Sequence, residues 1–170
     1  MFKDHVWIPI EYKNEYSDFA VNGLRLHFSD AEISERLRRN CISFCKWLRK
    51  KYWFPIRCNI RFEFFSFYKD HKDSKKGAAS IFYFPKIDKQ NCIRVYPDIR
   101  TAVSKFEKEA ETHGEEEALY WYYEQIVHEL THYFQWCFFE TEKRSKRSLE
   151  IEANKWADYL VNMYIKESRK

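Results

Sequence analysis

The chain has 170 residues, 45% hydrophobic, 33% charged and 19% aromatic, a composition that excludes disorder and low-complexity repeats. Its 30 basic and 26 acidic residues leave a net charge of +4, which argues against the concentrated basic face of a dedicated nucleic-acid binder. No apolar run approaches the ~20 residues of a membrane helix, and three glycines form no phosphate-binding loop.

Residues 1–28 read as a strand-rich lead-in to one domain, 1–170, whose core is expected over 29–168. The first residues, Met1 to His5, lack an apolar stretch followed by a cleavage site. Phe19, Ala20 and Val21 and then Leu24, Arg25 and Leu26 flank Asn22-Gly23, which predicts a hairpin turn. Ser29 and Glu32 form a capping box for a helix with the apolar stripe Ile33, Leu37, Cys41, Phe44 and Leu48. Pro55 prevents its continuation. Cys41 and Cys45 read as core thiols rather than a metal pair, and five cysteines without C-x-x-C spacing fit a reducing cytoplasm.

Three strands are expected next, at 59–64, 78–84 and 92–96, the last two closed by Pro85 and Pro97. The segment 78–84 suits a sheet edge. Residues 99–114 read as a polar helix broken at Gly114. Glu115, Glu116 and Glu117 open a long helix carrying Leu119, Tyr122, Tyr123, Ile126, Val127, Leu130, Phe134 and Cys137. Residues 142–147 are a charged connection, in which Lys143, Arg144, Lys146 and Arg147 read as solvated. Ser148 is the expected N-cap of a last helix with the stripe Leu149, Ala153, Trp156, Leu160 and Met163.

The long helix contains His128-Glu129-Leu130-Thr131-His132, an H-E-x-x-H motif. Imidazoles four apart lie one above the other on one helical face and can both reach a single Zn²⁺. Glu129 is rotated off that face, placed to act on a water as general base. Zinc needs a third protein ligand. Glu150 and Glu152 both open the next helix, where a short connection turns the chain antiparallel. Glu150 lies nearer the orientation set by Leu149 and Ala153; Glu152 reads as a solvated first-turn acid. Asn154 is one turn beyond Glu150 and can hydrogen-bond a ligand imidazole. For an oxyanion-stabilising group, Tyr122, Tyr133, Tyr159, Tyr164 and His113 all remain open.

From Gly77 to Tyr164 the chain resembles the ImmA/IrrE-type zinc metallopeptidases, a family of small gluzincins. The likeness rests on Gly77 before an edge strand, on Ile93 and Val95 in the next, on H-E-L-T-H and on E-x-E-A-N-x-W-A. Thr131 stands where the family has Gly, and Trp156 where it has Phe. The resemblance implies an α+β minimal zincin-like fold, a small mixed β-sheet packed against an active-site helix and a C-terminal ligand helix. It implies His128, His132 and Glu150 as zinc ligands and Glu129 as the catalytic base. An extended protein substrate would add along the edge strand at Ala79, Ser80, Ile81 and Phe82. The activity implied is intracellular cleavage of a regulatory protein, such as a repressor in phage or mobile elements. A non-catalytic binding or regulatory module on the same scaffold is the alternative.

Overall fold

A computed structural model describes residues 6–16, 21–28, 33–63, 80–83 and 97–169. The architecture is α+β. A 3₁₀ turn (Ile10–Tyr12) runs into α1 (Lys13–Tyr16), followed by β1 (Leu24–Phe28) and α2 (Glu35–Lys51). Next come β2 (Cys58–Glu63), β3 (Ser80–Tyr83), β4 (Asp98–Ala102) and α3 (Val103–His113). The chain ends with α4 (Glu115–Cys137), α5 (Glu140–Lys143) and α6 (Lys146–Ser168).

The sheet order is β1-β2-β4-β3. β1, β2 and β4 are parallel, with Leu24 opposite Cys58 and Ile60 opposite Ile99. β3 is antiparallel to β4 and, among the described residues, stands at an edge of the sheet. Parallel neighbours need a crossover, and α2 supplies it between β1 and β2. Leu24, Ile60, Phe62, Ile99 and Phe82 are buried on one face of the sheet, against which α4 packs. α3 and α6 then pack along α4. No helix among the described residues is long and apolar enough to cross a membrane.

Several local expectations give way to longer-range contacts. β1 takes β2 as a parallel partner instead of closing a hairpin at Asn22-Gly23; Phe19 and Ala20 lie outside the described residues. The Asn22 side chain donates to the Tyr52 carbonyl at 2.9 Å, which holds this segment against the end of α2. Gly23 serves close approach, not a turn. A Cβ there would stand 2.5 Å from the Ile56 carbonyl oxygen and 2.8 Å from that of Phe54. Both obstacles are backbone, so Gly23→Ala is expected to destabilise by about 1–3 kcal/mol, measured by urea unfolding. An unchanged midpoint would mean the two segments are not pressed together.

The α2 N-cap is Ser34, whose hydroxyl accepts from the Leu37 amide at 3.2 Å. Ser29 and Glu32 lie outside the described residues. The predicted stripe is otherwise present, with Leu37, Cys41, Phe44 and Leu48 buried. Burial pushes the Cys45 thiol up to about 12, and Cys41 also rises. The expected strand at 92–96 falls outside the described residues, whereas Ile99 to Ala102, read as helical, belongs to β4. Pro97 directly precedes that strand. Ile99 and Thr101 point inward, and Asp98 on the other face accepts from Arg61 Nε at 2.8 Å.

Gly114 does separate two helices, at φ +90°, where an L side chain is strained. In the N-terminal segment, Trp7 is completely buried in the core.

Candidate metal centre

α4 is apolar around much of its girth, which places it centrally and fixes the direction of its polar residues. His128 and His132 share one face. Their ring centroids are 4.7 Å apart with planes at 83°, and their Nε2 atoms approach to 3.1 Å.

The third group comes from α6. α4 ends at Cys137, and Phe139 takes a left-handed φ of 57° that starts the reversal. α5 follows, and Ser145 caps α6 by accepting from the Ser148 amide at 3.3 Å. The cap is therefore Ser145, and Ser148 belongs to the first turn. Ala153 and Ala157 are buried on α6, and such small side chains let it lie close to α4. Glu150 Oε2 then stands 3.3 Å from His128 Nε2, and Glu150 Oε1 stands 3.5 Å from His132 Nε2. His128, His132 and Glu150 could together hold a metal ion. Among the described residues they are the one group of three or more such side chains so placed.

Each imidazole has an amide at its other nitrogen. Asn154 Oδ1 is 3.0 Å from His128 Nδ1. Gln135 Oε1 is 2.8 Å from His132 Nδ1. Gln135 was invisible to motif reading, although its position three residues past His132 puts it on the same face. Burial lowers the His128 pKa and the neighbouring His132 lowers it further, against Glu150 and Asn154, which raise it.

Glu152 is not a solvated acid. Its Oε2 accepts from Gln135 Nε2 and from Arg144 Nη1, each at 2.8 Å. These contacts hold it away from the two imidazoles. Arg144 is equally committed, donating also to the Ser148 hydroxyl at 2.9 Å. The supposed basic loop is thus largely structure: Lys143 ends α5, while Lys146 and Arg147 open α6.

Glu129 is buried, 8% exposed. Burial pushes its carboxyl up to about 8; Glu150 adds to the rise, and a hydrogen bond from the Phe82 backbone opposes it. Glu129 thus has the β3 backbone and the Glu150 carboxylate among its neighbours. Of the residues expected to line a peptide, Ala79 lies outside the described residues. Ser80 and Phe82 turn their side chains inward and are buried; Ile81 is half-buried on the opposite face. What β3 can offer along its edge is main chain, not those two side chains.

The tyrosine hydroxyls considered earlier are mostly engaged elsewhere. Tyr122 accepts from Thr101 at 2.8 Å, and Tyr133 donates to the Ile56 carbonyl at 2.7 Å. Tyr164 packs on Phe44, Tyr159 is exposed, and His113 ends α3 beside Glu109. Compared with protein-family models, curated proteins and solved structures, the chain gives no match.

Proposed function

We propose that the protein is a zinc-dependent metallopeptidase that hydrolyses a peptide bond in a protein substrate held along the β3 edge. One observation carries this reading: His128 Nε2, His132 Nε2 and the Glu150 carboxylate converge at 3.1, 3.3 and 3.5 Å. The Gln135 oxygen at His132 Nδ1 leaves a lone pair on His132 Nε2, and such an acceptor so close to a carboxylate suits a cation between them. A tetrahedral ion with ligands at about 2.0–2.1 Å spaces its donor atoms by about 3.3 Å. Two imidazoles and one carboxylate leave the fourth position open, as catalytic rather than structural zinc sites do.

Zinc, when bound, supplies a Lewis acid that acidifies water and polarises a carbonyl. The chain's own residues supply the rest. Glu129 takes the proton of the attacking water at its carboxylate and returns it to the leaving amine. A purely structural site has no use for that group. Asn154 and Gln135 hold the rings in register. The β3 edge pairs with an extended backbone, which gives affinity without demanding one side chain. Among the described residues Cys41, Cys45, Cys58 and Cys137 are free thiols, which fits a reducing cytoplasm, where a regulatory protein is the proposed substrate.

The test is zinc stoichiometry by mass spectrometry, followed by cleavage of a peptide library. One zinc per chain is expected, lost in His128→Ala and weakened at least about tenfold more by Glu150→Gln than by Glu152→Gln. No zinc in any form, or zinc without a cleaved peptide, overturns the proposal.

A further inference from the structure

Gln135 is fully buried on α4, and its amide has one workable orientation. Its Nε2 lies 3.0 Å from the Leu149 carbonyl oxygen and 2.8 Å from Glu152 Oε2. A carbonyl oxygen only accepts. Glu152 Oε2 also faces Arg144 Nη1 at 2.8 Å, and a guanidinium only donates. Both neighbours of the Gln135 nitrogen are therefore acceptors, and both amide hydrogens go to them. Rotating the amide by half a turn would set its oxygen against two oxygens. Oε1 is left to face His132 Nδ1, which must then carry a hydrogen. A neutral imidazole has one N–H, so His132 Nε2 keeps its lone pair. That lone pair points toward His128 and Glu150.

We infer that Gln135, backed by Glu152 and Arg144, is a positioning device that fixes His132 in the Nδ1–H tautomer. In that form Nε2 can bind a metal without first shedding a proton. The two imidazoles differ in this respect. Asn154, the partner of His128, is exposed, so water can serve either end of its amide. The Gln135 amide is held from three sides inside the protein. Arg144, the outer end of the chain of contacts, is itself braced by the Ser148 hydroxyl and carbonyl. The arrangement runs from a partly exposed guanidinium to the metal centre without touching the ion. It rests on the metallopeptidase reading only for its purpose.

The test reads His132 ring ¹⁵N shifts in metal-free protein at about pH 8.5, where imidazoles are neutral, and zinc affinity by chelator competition. Wild type is expected to show Nδ1–H at His132. Gln135→Leu is expected to shift that ring toward Nε2–H and weaken zinc binding by about 10–100-fold, with circular dichroism unchanged. An Nε2–H tautomer in wild type, or an unmoved tautomer and affinity in Gln135→Leu, overturns the inference. If Gln135→Leu does not fold, the wild-type tautomer decides the matter. If wild type binds no zinc, the metallopeptidase reading fails, while the tautomer measurement still decides this one.

Discussion

Glutamine in place of Glu129 is expected to lower kcat on a cleaved peptide by about 10²–10⁴ while one zinc per chain stays bound. The substitution keeps the size of the side chain and an oxygen to accept from Phe82. It removes only the capacity to hold a proton in transit. Glu129 does not belong to the His128, His132 and Glu150 group, so the metal should not follow it. An unchanged kcat would remove Glu129 from the chemistry. Loss of zinc would make it a ligand or a support for one. The same variant has a stability signature in the metal-free protein. Burial pushes the carboxyl up to about 8, so the folded chain keeps a proton that the unfolded chain has released. Native stability from this group is then complete below the ordinary carboxyl range and declines as pH rises toward 8. Glu129→Gln has no such decline. Its melting temperature relative to wild type should therefore climb between about pH 5 and 8. A parallel pair of curves would mean the carboxyl is not buried in solution.

The candidate metal site is legible because its signal is local. Residues four apart on one helix meet whatever the rest of the chain does, so His128 and His132 could be paired from spacing alone. The approach of Glu150 needed one further step, the antiparallel return of α6, and the stripe through Leu149 and Ala153 oriented it. Glu152 was misread because its partners come from elsewhere. Gln135 belongs to α4 and Arg144 to the turn after α5, and neither signals the other in sequence. β4 failed for the same reason. Arg100 looks like helix surface until the pairing of β4 with β2 sets it opposite Arg61. Asn22-Gly23 has the composition of a turn, and only the backbone of residues 54–56 shows that the glycine makes room. Gln135 is a different case, since its place three residues after His132 was readable and a motif ending at His132 stops short of it.

Trp7→Ala is expected to cost about 3–5 kcal/mol, the range for emptying a large aromatic site in a core. At about 2–4 °C per kcal/mol for a chain of this size, the melting temperature should fall by roughly 6–20 °C. The reasons lie in what the indole touches. Its ring is 4.7 Å from Phe134 on α4, 5.0 Å from Tyr52 past the end of α2, and 6.3 Å from Trp156 on α6, centroid to centroid. Three parts of the molecule distant in sequence therefore share one side chain. Its Nε1 donates to the Thr131 hydroxyl at 3.0 Å, and that hydroxyl donates to the Val127 carbonyl at 2.8 Å. Thr131 immediately precedes His132, so the N-terminal segment is tied to the helical turn that carries the imidazoles. Trp7→Phe separates the two contributions. It keeps most of the ring packing and removes the donor, so the hydrogen bond alone should cost about 1 kcal/mol. A phenylalanine variant as unstable as the alanine one would place the weight on the indole N–H. A fall of less than about 3 °C in Trp7→Ala would mean that the α4 and α6 packing stands without the N-terminal segment.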